Sequence, residues 1–171
     1  MLSHDQESAP GRTRVLTLST ISFTLLFAVW LMFGILGKPM SKEYDLSEVQ
    51  LSWIIAAAVL NGSLWRLPAG MITDRIGGRK VMTFLLVGTA VPAYLVSRAD
   101  SYAMLVVLAF FVGFAGNSFS SGIAWNSAWQ PRSHQGFALG VFGAGNVGAS
   151  VTKFIGPPII AGTAGASYFG F

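Results

Sequence analysis

The sequence predicts an all-α membrane protein with five transmembrane helices, and three observations carry that prediction. Hydrophobic residues make up 53% of the 171 and charged residues only 11%, where a soluble domain is about a quarter charged. Five apolar runs, at about 15–37, 49–72, 81–96, 102–126 and 136–158, have close to the roughly 20 residues that a bilayer core requires. The Lys and Arg outside those runs alternate in density between successive loops, which is how membrane helices fix their orientation.

Taken in order, residues 1–14 are polar, carry Pro10 and Gly11, and read as a cytoplasmic tail ending in Arg12 and Arg14. The first apolar run has the length of a full span and lacks the usual small-residue cleavage site, so it reads as a span rather than a leader. Lys38, Pro39 and the acidic segment through Glu48 form the next loop. Ser47, with Gln50 three residues on, predicts a capping box that opens the second helix. Asp74 to Lys80 is a short loop before the third span, Arg98 and Asp100 mark the next turn, and Pro131, Arg132 and His134 separate the fourth span from the fifth. The membrane domain therefore covers 15–160, and residues 161–171, small, aromatic and uncharged, form an outer loop or an interrupted segment. The basic loops put the amino terminus, the second-to-third loop and the fourth-to-fifth loop on the cytoplasmic side of the cytoplasmic (inner) membrane. Five spans with extensive small-residue faces do not make a complete fold. The expectation is that the chain is cut short.

Several chemistries are excluded. There is no cysteine, hence no disulfide, thiol nucleophile or thiolate metal site. Two histidines, His4 and His134, do not make a metal cluster, and no cofactor is called for. The net charge of +4 lies beside apolar spans and reports topology rather than a nucleic-acid partner. Gly143, Gly145 and Gly148 spell G-x-G-x-x-G, but no strand precedes them and no Asp or Glu follows Asp100, so the dinucleotide fingerprint lacks its context. No nucleophile, base and orienting group assemble from the spans, which argues against an enzyme.

The last run carries the most pattern. Gly136, Gly140, Ala144, Gly148, Thr152 and Gly156 recur every four residues, the small-residue ridge on which membrane helices approach closely. At about 100° per residue, Gln135, Phe142, Gly143, Ser150 and Lys153 fall within roughly 60° of Asn146. Such a polar stripe is expected to face a protein interior or a wet cavity. Arg66 sits about six residues, or about 9 Å, inside the second span, where insertion costs about 2.5–3.5 kcal/mol. Its helical neighbours Gly62, Ser63, Ala69 and Gly70 are small and leave room for a ligand. Every acidic residue falls in the tail or a loop by this reading, so the interior charge is positive and calls for an anionic substrate. A small planar oxyanion suits the guanidinium fork of Arg66, with Asn146 adding amide donors and Phe119, at similar depth, serving as a wall. Lys153 is equally placed to face the cavity or to reach the far interface.

The segment GMITDRIGGRK, Gly70 to Lys80, resembles the loop signature between the second and third helices of the major facilitator superfamily. That resemblance implies a gate role for Asp74, Arg75 and Arg79. The run from Gly113 through Pro157, with the Arg-Leu-Pro of Arg66 to Pro68, resembles the nitrate/nitrite porters of that superfamily, most closely the branch regarded as proton-coupled nitrate importers. Gly140, Gly143, Gly145, Asn146 and Gly148 match that family's nitrate signature. The likeness implies Arg66, Phe119, Asn146, Gly143 and Gly145 as substrate-binding positions, while the four-residue spacing makes Gly136, Gly140 and Gly148 packing positions. It further implies a partial amino-terminal half of a twelve-helix carrier for nitrate or nitrite. The lipid bilayer and the missing carboxyl-terminal half are then its partners. Another organic-anion facilitator and a non-transporting membrane subunit are the alternatives.

Overall fold

The computed structural model describes residues 10–163, and all of its regular structure among them is helical. Helices α1 (Pro10–Trp30) and α2 (Met32–Glu43) follow one another across Leu31, and α3 (Glu48–Leu64) bends into α4 (Arg66–Ile76). Next come α5 (Gly78–Val96), α6 (Tyr102–Val112) and α7 (Ser118–Trp129), the last two joined by a 3-10 segment at Gly113–Asn117. Finally α8 (Gln135–Gly143) passes through a 3-10 turn at Ala144–Asn146 into α9 (Val147–Thr163).

The boundaries have identifiable causes. Ser47 and Gln50 form the expected capping box, the Gln50 amide donating to Ser47 Oγ at 3.2 Å and the Ser47 amide to Gln50 Oε1 at 2.9 Å. The α3–α4 junction is bent by 42°. Pro68 explains it, because proline has no N–H for the Leu64 carbonyl one turn earlier and its ring crowds that carbonyl. The helix resumes at Arg66 and runs to Gly77, whose φ of 91° ends it in a backbone region glycine adopts without penalty. Two expected loops are therefore shorter than the sequence reading. Lys38 and Pro39 lie inside α2, and Asp74 and Arg75 inside α4.

Three helical stretches among the described residues are long and apolar enough to cross a bilayer: Gly11–Glu43, Gly78–Val96 and Tyr102–Trp129. The bent pair Glu48–Leu64 and Arg66–Ile76 is a fourth if counted as one span. The run expected as a fifth is helical in pieces of 9 and 17 residues on either side of its 3-10 turn, just as Tyr102–Trp129 continues through the 3-10 segment at Gly113–Asn117.

Helix α1 is the centre of the packing, touching α5, α7, α8 and α9, while α3 lies on α6 and α4 on α7. Two apolar cores result. One gathers Phe33, Ile54, Ala58, Leu105, Ala109 and Val112 between α2, α3 and α6. The other gathers Phe23, Leu26, Met82, Leu85, Ala115 and Phe142 around α1. Gly113 seats against the Ala58 carbonyl and Asn61, and Gly116 against Trp30 and Gly62, so the 3-10 segment presses backbone into α3.

Candidate functional site

Arg66 begins α4 immediately after the bend, and the bend aims it inward. Its guanidinium carbon lies 5.8 Å from the ring centroid of Trp30 on α1 and 5.9 Å from that of Phe119 on α7, both within cation–π range. Its Nε is buried and has no hydrogen-bond partner. Beside it opens a cleft of about 680 Å³ lined by Arg66, Asp74, Phe119, Ser120, Ile123 and Ser127, among others. Ser120 fastens the two walls, its hydroxyl donating to the Arg66 carbonyl at 2.8 Å and lying 3.1 Å from the Asn117 carbonyl.

Two expected site residues, Arg66 and Phe119, are thus brought together. The expectation that all acids sit apart from the interior charge is corrected by Asp74, which is helical and lines the same cleft. Asp74 and Arg66 nevertheless lie beyond the 4.0 Å of an ion pair. Asp74, Arg75 and Arg79, expected at a gate, are exposed and make no ion pairs with one another.

The stripe expected around Asn146 separates. Asn146, Ser150 and Lys153 are exposed, and none of them lines the cleft beside Arg66. Phe142 is 1% exposed, stacks on Phe23 at 4.7 Å, and fills the space over Gly122. Gln135 donates to the carbonyls of Ser127 at 2.9 Å and Gln130 at 3.3 Å, closing the end of α7 rather than facing a cavity. The 3-10 turn is the physical reason: three residues at about 120° instead of 100° rotate α9 by about 60° relative to α8.

The glycine roles also change. Nothing lies within 4 Å of a Cβ built on Gly136, Gly140 or Gly143, so the first two do no packing here. The close approach falls on Gly145, over Phe23 and Thr24, and on Gly148, against the Thr24 carbonyl and the Ala28 amide. Thr152 extends the seam, its hydroxyl reaching the Ala28 carbonyl at 3.4 Å. Gly145, expected at the substrate, is buried at a helix contact.

Trp30 is the site residue that sequence reasoning missed. Its Nε1 donates to the Ala58 carbonyl at 3.1 Å, and its ring lies over Gly62 and Gly116. A lone Trp in an apolar span carries no sign of its partner; the glycine pair across α3 and the 3-10 segment was the one available clue.

Comparison with known proteins agrees with this architecture. The family model described as Major Facilitator Superfamily matches residues 18–171. The chain is 67% identical over 165 residues to a probable nitrate/nitrite antiporter of Thermus thermophilus, covering 96% of this chain and 37% of that protein. It is 35% identical over 144 residues to a probable nitrate transporter of Staphylococcus carnosus, covering 84% and 37%. A probable nitrate/nitrite transporter of Mycobacterium tuberculosis is 33% identical over 153 residues, covering 88% and 39%. The chain thus spans under two fifths of the length of these relatives.

Proposed function

The chain belongs to the major facilitator superfamily, and from that premise we propose that it is the amino-terminal part of a nitrate/nitrite carrier of the cytoplasmic membrane. One observation carries the choice of an anion: a guanidinium held between two aromatic rings, its Nε buried and without a protein acceptor. A half-buried cation whose Nε is left in that state is stabilised by a solute bearing the opposite charge. Nitrate and nitrite are small planar oxyanions, and two of their oxygens match the guanidinium fork. The names of the relatives supply the same substrate class.

In this reading the run 136–158 is a fifth span, and the amino terminus, the start of α5 at Arg79 and the loop bearing Arg132 are cytoplasmic, in keeping with the distribution of Lys and Arg. Phe119 walls the substrate. Gly143 and the exposed Asn146 and Lys153 face the carboxyl-terminal half, which superfamily carriers require because substrate sits between two halves. Of the two coupling modes, exchange is better supported than proton symport. The Thermus thermophilus relative is named a probable nitrate/nitrite antiporter.

The test joins this chain to the remaining length of the Thermus thermophilus relative in cells lacking their own nitrate porters. Nitrate uptake is expected, and Arg66→Lys is expected to reduce it at least tenfold because an ammonium cannot present the bidentate fork. Full uptake by the substituted protein would remove Arg66 from the mechanism. Competition by phosphate esters but not by nitrite would favour another organic-anion facilitator, and no uptake at all a non-transporting subunit.

A further inference from the structure

We infer that Trp30 is a positioning residue for the anion, clamping the Arg66 guanidinium by its face so that its N–H edge stays free for substrate. The inference rests on the anion reading of Arg66 given above. A guanidinium near lipid depth can be compensated in two ways. A carboxylate would take its N–H donors and compete with any substrate anion, whereas an aromatic face attracts the charge while leaving those donors unused. Here the second arrangement is present: Trp30 and Phe119 lie 5.8 and 5.9 Å from the guanidinium carbon, Asp74 is beyond ion-pair distance, and Nε has no acceptor.

Trp30 is itself fixed more firmly than packing in an apolar core demands. Its indole N–H is tied to the Ala58 carbonyl at 3.1 Å. A Cβ on Gly62 would come within 2.9 Å of its ring and one on Gly116 within 2.7 Å, so two helices yield side-chain space to it. Phe27 supports it edge-on at 5.7 Å. The ring therefore has one position, and the guanidinium it covers inherits that position.

The test uses the chain joined to the remaining length of the Thermus thermophilus relative, in phosphatidylcholine vesicles, with phenylglyoxal as a guanidinium reagent and mass spectrometry to read the adduct at each arginine. Exposed Arg75 on the same helix is the internal reference. Trp30→Leu is expected to raise labelling of Arg66 relative to Arg75 about tenfold, while Trp30→Phe, which keeps a ring, stays within about threefold of the parent. Sodium nitrate is expected to slow labelling of Arg66 in the parent, with a midpoint about tenfold higher in Trp30→Leu. Equal labelling ratios and equal nitrate midpoints in the parent and Trp30→Leu would overturn the clamp. So would a parallel rise at Arg66 and Arg75, which reports a loosened helix rather than a released guanidinium. If nitrate protects Arg66 in no variant while the labelling ratios still rank as expected, the nitrate reading fails and the hold of Trp30 on Arg66 stands.

Discussion

A single cation within an apolar run is the kind of feature a linear sequence displays, and Arg66 was legible for that reason. Its surroundings were not. Trp30 and Phe119 reach the guanidinium from helices far apart in the chain, and nothing in local spacing pairs them. Asp74 was misread as a loop residue because Asp followed by Arg beside glycines has loop composition, whereas the helix in fact resumes at Arg66 and continues to Gly77. Residue-level energetics are open to test at another fully buried contact. Asn126 Nδ2 donates to Ser19 Oγ at 2.8 Å and to the Gly122 carbonyl at 2.9 Å, joining α7 to α1. Asn126→Leu is expected to destabilise the chain by about 1–2 kcal/mol. Ser19→Ala in that background should cost less than Ser19→Ala alone, as a double-mutant cycle from thermal melts in detergent would show.

Among the elements, the capping box at Ser47 could be read directly because its two side chains are three residues apart. The 3-10 segments could not, since a change from an i+4 to an i+3 ladder leaves no side-chain period behind it. That change decides which glycines approach another helix. Gly148 touches the backbone of Thr24 and Ala28, while Gly140 has open space around it. Gly148→Val is therefore expected to destabilise the α1–α9 contact by about 1–3 kcal/mol or more. Gly140→Ala is expected to be neutral or to stabilise by up to about 1 kcal/mol through helix propensity. Melting temperatures of the two variants in one detergent check the pair, and equal losses would return the ridge to its four-residue register.

Across the whole molecule, the all-helical class and the family were legible from composition and motif, because greasy runs and the Gly70–Lys80 loop are contiguous. The join between α2, α3 and α5 carries a pH dependence. Tyr44, in the turn after α2, has its hydroxyl near the Val96 carbonyl at 3.5 Å, and burial first, then Glu43 and Asp100, raise its pKa. The stabilisation tied to its protonated form is complete below its ordinary value of about 10 and declines as pH rises above that. Tyr44→Phe is expected to lessen the loss of melting temperature on going from about pH 9 to about pH 11. On the exchange proposal, with the chain joined to the remaining length of the Thermus thermophilus relative, nitrite loaded inside vesicles is expected to accelerate nitrate entry, with no acceleration from an imposed proton gradient. Dependence on the gradient alone would return symport.

The seam between Thr24 and Gly148 also bears on synthesis, for α1 leaves the ribosome long before α9 exists to cover it. Ser19, Thr20 and Thr24 meanwhile each return their hydroxyl to a carbonyl of their own helix, at 3.0, 2.7 and 2.8 Å. A newborn α1 can thus wait among acyl chains with these polar groups already satisfied, and it gives up none of those bonds when the late-arriving helix docks.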